Sequence, residues 1–158
     1  LALVNQGRSK KDARQLASRS FEHFGLAGFE SARPHQLSGG MRQRVAFIRT
    51  LISGKPVLLL DEPLAALDAI TRAELQEWLA PTLTEAGATV LLVTHDVEEA
   101  LYLADRVAVL SPRPGHILTT VEGSRGVAGD RTEVVSSPAF NRNREELLGL
   151  LRSGGEPK

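Results

Sequence analysis

Cysteine is absent from the 158 residues. This excludes disulfides and thiolate metal sites and suits a cytoplasmic setting without establishing one. Net charge is also absent, with 19 basic against 19 acidic residues. The chain as a whole therefore exerts no broad attraction on nucleic acid or an anionic membrane, and any such contact has to come from a local patch or a protein partner. No apolar run approaches the roughly 20 residues that span a bilayer; the longest lie around 57–60 and 88–93. The chain itself is not expected to cross a membrane. Leu1 is not an initiator methionine, and the first residues lack both a basic start and an apolar stretch of about 7–15 residues of the signal-peptide kind. The chain is accordingly expected to begin inside a longer protein. Internal repeats are missing, as is any Gly-rich loop of the form G-x-x-x-x-G-K-[ST]. Gly54-Lys55 does not supply that loop, because Arg49 stands where its first glycine is needed and Pro56 where its Mg²⁺-binding hydroxyl is needed. It reads as a helix stop.

What is present is a chain 42% hydrophobic, long enough for one domain with a real core. Ser9-Lys10-Lys11-Asp12 has the form of a capping box ahead of Ala13, Leu16, Ala17, Phe21 and Phe24, which share one helical face. That helix should end near Gly25. Ser38 is placed to cap a second helix running to about Leu51, closed by Gly54 and Pro56. Residues 57–60 read as a buried strand. Asp68 or Thr71 can start a helix with Leu75, Trp78, Leu79 and Leu83 on one face, and Pro81 should kink or divide it. Gly87 ends it. Residues 88–93 form a second apolar strand, 98–103 a short helix and 106–110 a third strand. Strands alternating with helices imply a parallel sheet. A further short strand is expected at 116–121, a loop at 123–130 and a terminal helix around 139–151.

Three segments carry chemistry. A helix N-terminus presents unpaired amides and partial positive charge, and glycines there let a phosphate reach the backbone. Ser38, Gly39 and Gly40 meet that requirement, although a bare Ser-Gly-Gly is more often an ordinary capped helix. The longer string Leu37-Ser38-Gly39-Gly40-Met41-Arg42-Gln43-Arg44, a helix length before an apolar strand ending in Asp61-Glu62, reverses that preference. Side chains at the end of a buried parallel strand emerge at the crevice where open α/β sheets bind ligands. One carboxylate there can hold hydrated Mg²⁺ while its neighbour orients an attacking water. A pair of solvated acids is the plainer reading of Asp61-Glu62 taken alone. His95 follows the second apolar strand at the same edge and can donate a hydrogen bond to a phosphate oxygen; an isolated histidine is more commonly structural. His23, His35 and His116 have no such context, and the four histidines make no metal-ligand cluster in sequence. Arg42 and Arg44 are too few for a nucleic-acid surface and read as a solvated helix face or an inter-subunit contact.

Taken in order, Leu37 to Arg44, Val57-Leu58-Leu59-Leu60-Asp61-Glu62-Pro63, Leu64-Ala65-Ala66-Leu67-Asp68 and Thr94-His95-Asp96 resemble the ATP-binding cassette (ABC) ATPases, best along residues 34–121. The resemblance implies a partial P-loop NTPase fold of ABC type: α/β, a mainly parallel sheet flanked by helices, with a helical signature subdomain. It divides the chain into a signature subdomain at 1–54, a catalytic-core part at 55–122 and a C-terminal loop and helix at 123–158, the N-terminal part with the phosphate loop and Q-loop lying outside it. Gln6 does not match the Q-loop glutamine, since no apolar strand precedes it. By resemblance Asp61 holds Mg²⁺, Glu62 is the catalytic base or water-polarising residue, and His95 senses the γ-phosphate. Ser38, Gly39, Gly40 and Met41 contact ATP held mainly by the opposite subunit of a head-to-tail dimer, and Asp68 belongs to a loop crossing that interface. Met41 stands where many members have glutamine, a departure common among importers.

The implied partners are a second ATPase subunit, membrane permease subunits and, indirectly, a periplasmic or lipid-anchored solute-binding protein, with no nucleic acid. The implied location is cytoplasmic, on the inner face of the membrane through the permease. Val97-Glu98-Glu99-Ala100 and Leu110-Ser111-Pro112-Arg113-Pro114-Gly115 look like the nitrate, sulfonate and taurine importers. Two other readings stay open: a soluble ABC ATPase acting on ribosomes or DNA, and a noncatalytic partial cassette serving as an interaction module. Without the phosphate loop, residues 1–158 alone are expected to bind ATP weakly, to hydrolyse it negligibly and to be poorly stable, because the strands would lack neighbours.

Overall fold

A computed structural model describes residues 7 and 9–152; Leu1 and Gln6 lie outside the described residues. Helix α1 (Lys10–His23) begins at Ser9, whose hydroxyl accepts the Asp12 amide and so satisfies one of the donors a helix start leaves over. A 3-10 turn (Pro34–Gln36) leads into α2 (Gly39–Leu51), capped by Ser38, whose Oγ accepts the Met41 amide at 3.2 Å. Strand β1 (Val57–Asp61), helix α3 (Ala69–Glu85), strand β2 (Thr89–Val93) and helix α4 (Val97–Leu103) follow. Strands β3 (Arg106–Leu110) and β4 (Ile117–Glu122) and helices α5 (Arg131–Ser136) and α6 (Pro138–Arg152) complete the described chain.

Among the described residues the strands form two ladders, not one sheet. β1 and β2 pair in parallel, with Asp61 opposite Val93. The third strand does not extend that ladder; it pairs antiparallel with β4. The six residues between β3 and β4 suit a hairpin-like return, whereas a parallel neighbour needs a crossover of a dozen or more residues. Their ends are tied at Ser111, whose amide donates to the His116 carbonyl at 2.8 Å and whose Oγ accepts the His116 amide at 3.0 Å.

The core gathers Leu64, Leu75, Leu79 and Leu83 with Leu101, Leu103, Val107, Val109, Phe140 and Leu147. β1 and β2 are less buried than their apolar sequences suggest. Leu58 and Leu60 face this core, but alternate residues Val57, Leu59, Leu91 and Val93 are exposed. Period-2 geometry sends them to the other face, which nothing among the described residues covers. Pro81 does not divide α3. The carbonyl its missing N–H would serve belongs to Glu77, an exposed residue. Leu79 and Leu83 on either side remain seated in the core.

The loop at 123–130 begins at Gly123, where an added Cβ would lie 2.0 Å from the Ala104 carbonyl oxygen; only glycine fits this approach of β4 to the end of α4. Helix α5 was not foreseen. Its signal is Asp130 and Glu133, a reciprocal capping box. The terminal helix starts and stops within a residue of its predicted span.

Candidate functional site

The parallel register of β1 and β2 delivers their C-terminal ends side by side, so Glu62 and His95 emerge at the same sheet edge. His95 Nδ1 lies 2.7 Å from Glu62 Oε2. Both side chains reach solvent, the imidazole 74% exposed. Glu62 stands at φ +45°, a left-handed conformation unusual for a residue other than glycine. Such backbone costs on the order of 1–3 kcal/mol and persists only where neighbours hold it. Here the Glu62 amide donates to the Val93 carbonyl at 2.9 Å, the Gln43 amide group of α2 donates to the Pro63 carbonyl, and Leu64 is fully buried. The conformation turns the chain off the strand and leaves the carboxylate beside His95.

Hydrogen bonding to Glu62, reinforced by its charge, raises the His95 pKa above 6.5. An ionised carboxylate only accepts, so Nδ1 carries the proton in this pair. Nε2, facing solvent, then donates only when the ring is an imidazolium, the form that Glu62 favours.

Asp61 is exposed at the strand end. Among the described residues no group of three or more potential ligands could hold a metal ion. The donor set nevertheless fits Mg²⁺, which commonly takes one or two carboxylates and completes its shell with water and substrate phosphates.

Ser38, Gly39, Gly40 and Met41 form the start of α2, and their neighbours are at the start of α3. A Cβ on Gly40 would meet Thr71 Cγ2 at 3.0 Å, and one on Gly39 would meet Leu67 Cδ2 at 3.8 Å. A side chain at Gly40 would therefore crowd Thr71 at the start of α3. Asp68 caps α3, its Oδ1 accepting the Thr71 amide at 3.0 Å; hydrogen bonds from the amide and hydroxyl of Thr71 hold its pKa below the usual carboxylate value. The predicted residues thus fall into two groups, Asp61, Glu62 and His95 at the strand ends, and Ser38 to Met41 with Asp68 where α2 meets α3.

Arg44, read as part of a solvated helix face or an inter-subunit contact, is partly buried. Its guanidinium stacks over Trp78 at 5.5 Å, beside Phe24 and Phe47. Three further residues had no role in the sequence reading: Gln43, which holds the turn after Glu62, the half-buried Arg72 and the buried Glu99. Arg72 had a legible signal, since a cation in the first turn of a helix opposes the dipole and needs another reason to be there. Glu99 is 2% exposed; burial, then the nearby Asp96 charge, pushes its pKa up to about 7.

Comparison with known proteins bears on this geometry. The family model for the ABC transporters matches residues 3–65. The formylaminopyrimidine import ATP-binding protein ThiZ of Halalkalibacterium halodurans is 47% identical over 122 residues, covering 77% of this chain and 49% of ThiZ. The taurine import ATP-binding proteins TauB of Pelagibacter ubique and Yersinia pestis are 42% and 44% identical, over 91% and 92% of this chain and 57% and 58% of theirs. The chain spans about half the length of these curated relatives. Among solved structures, cbiO1 of Clostridium perfringens, part of the cbiONQ transporter complex, matches with TM-score 0.64 and 24% identity over 96% of this chain and 56% of its own. A dimeric ATP-binding cassette in a post-hydrolysis state with ADP and Pi matches with TM-score 0.51 and 35% identity over 64% and 44%.

Fold and site together define a partial P-loop module of cassette type, in which helices flank a parallel strand pair ending in Asp-Glu and Thr-His-Asp. The chain belongs to the ABC transporter family, and the relatives compared with it are ATP-binding proteins of import systems.

Proposed function

We propose that this chain is part of the ATP-hydrolysing subunit of an ABC importer for a small anion or organic solute such as nitrate, a sulfonate or taurine. The observation that carries the reading is the Glu62–His95 hydrogen bond, 2.7 Å long at the exit of two parallel strands. It joins a carboxylate able to orient water to a cation able to grip a phosphate oxygen. The names of the relatives, import proteins for taurine and formylaminopyrimidine, support the transport role and the class of solute.

In this reading Glu62 Oε1 orients the attacking water, while Oε2 keeps His95 charged so that Nε2–H donates to the terminal phosphate. Asp61 would hold Mg²⁺, which would supply charge neutralisation at the phosphates. The amides at Gly39 and Gly40 and the Ser38 hydroxyl contact ATP held by a second subunit in a head-to-tail dimer, with Asp68 near the crossing loop. The dimer works on permease subunits at the inner face of the membrane. Among the described residues no helix is long and apolar enough to cross a membrane.

Residues 1–158 alone are proposed to be inactive, because G-x-x-x-x-G-K-[ST] is not among them. Hydrolysis by the full-length protein, compared with His95→Ala, tests the reading. Loss of turnover with retained ATP binding supports it; unchanged turnover removes His95 from the reaction.

A further inference from the structure

Arg72 sits in the first turn of α3 and reaches away from its own helix in two directions. Nη2 donates to the Leu67 carbonyl at 2.9 Å, on the segment that leaves Glu62. Nη1 donates to Asp96 Oδ2 at 3.2 Å, on the segment that leaves His95. The other oxygen of Asp96 caps α4, accepting the amides of Glu98 and Glu99 at 2.9 and 3.1 Å. Both members of the ion pair are largely shielded, with 30% and 26% of their side chains exposed. Arg72 Nε and Glu99 Oε1 are buried without a hydrogen-bond partner among the described residues.

A shielded ion pair that leaves polar atoms unmatched is a poor source of stability. What it supplies is geometry, because a guanidinium fork is planar and rigid and fixes the distance between the two groups it serves. We propose that Arg72 is a positioning residue for the Glu62–His95 pair, clamping the turn after Glu62 to the helix cap after His95 and so holding the two side chains in register. This rests on the reading of Glu62 and His95 as the hydrolytic pair. Lysine carries the charge but has no fork, so it cannot hold the Leu67 carbonyl and Asp96 at a fixed separation.

The test uses the full-length protein with Arg72→Gln, Arg72→Lys and Asp96→Asn. The clamp predicts that Arg72→Gln lowers kcat by about ten- to a hundredfold, the scale on which small misplacements act, with KM for ATP near the wild-type value. Arg72→Lys should recover only part of the loss. The His95 Cε1–Hε1 resonance should move in Arg72→Gln, a change that a role in stability alone would not produce. Wild-type kcat, a rise in KM alone, or an unmoved His95 resonance would each overturn the proposal. Should Arg72→Gln fail to fold, Asp96→Asn, which keeps Oδ1 for the helix cap and replaces the oxygen facing Arg72, decides the matter on the same readouts. If the wild-type protein hydrolyses no ATP, the functional reading fails, and the His95 resonance alone decides the clamp.

Discussion

Glu62 and His95 are 33 residues apart in sequence and 2.7 Å apart in space, joined because two parallel strands end in register. Their hydrogen bond favours the charged imidazole, so His95 should titrate above 6.5. Its pKa is raised in the folded state, so its contribution to stability is present below the unfolded value and lost as pH rises through the folded one. NMR titration of the His95 ring in wild type and Glu62→Gln checks this: the variant should titrate lower, and equal midpoints would show that the pairing does not persist in solution.

Glu99 gives the opposite sense to a carboxylate of the usual kind. Its pKa, pushed up to about 7 by burial and by Asp96 against the attraction of Arg72, means that the folded state holds a proton between about 4.5 and 7 that the unfolded state releases. Stability therefore falls as pH rises through that window. Glu99→Gln mimics the protonated form, and its Tm should exceed that of wild type by a few degrees at pH 8 and by little at pH 5. Parallel melting curves across pH would contradict the assignment.

Leu64 anchors the turn that follows Glu62 and is fully buried. Leu64→Ala should cost about 2–5 kcal/mol in denaturant unfolding, as expected for a cavity at a closed core position. A loss well below 1 kcal/mol would mean that the core does not close around this turn.

Capping residues offer a smaller effect. Ser38→Ala removes the acceptor of the Met41 amide and should cost roughly 0.5–2 kcal/mol. Asp68→Ala should also lower stability through the lost Thr71 bond, and Asp68→Asn should recover most of the loss because the acceptor oxygen is kept. Thermal melts of the three variants would show whether capping is the main structural work of these positions.

Much of this arrangement was legible because its signals are local. Ser9, Ser38 and Asp68 each announce a helix start, and α1, α2 and α3 begin directly after them. Asp61-Glu62 and Thr94-His95-Asp96 mark strand ends, and the structure puts Glu62 and His95 in contact. The failures are of another kind. Alternation of strands and helices implied a parallel sheet, which β1 and β2 form; what it did not show is that β3, among the described residues, pairs antiparallel with β4 across a connection too short for a parallel crossover. Pro81 signalled a kink or a division, and the helix is not divided, with Leu79 and Leu83 buried on either side of it. Arg44 looked like a surface charge because nothing in sequence places Trp78 beneath it. Arg72 and Glu99 were passed over since their meaning depends on Leu67 and Asp96, which only the fold brings near.

The central claim is that Glu62 is the carboxylate on which ATP hydrolysis depends. The most direct measurement is steady-state ATP turnover by the full-length protein, wild type beside Glu62→Gln, with the oligomeric state followed in the presence of ATP. The account predicts that the variant binds ATP, loses turnover and accumulates as an ATP-bound dimer. Turnover indifferent to Glu62→Gln would contradict it and leave the chain a cassette in which this site does no hydrolysis.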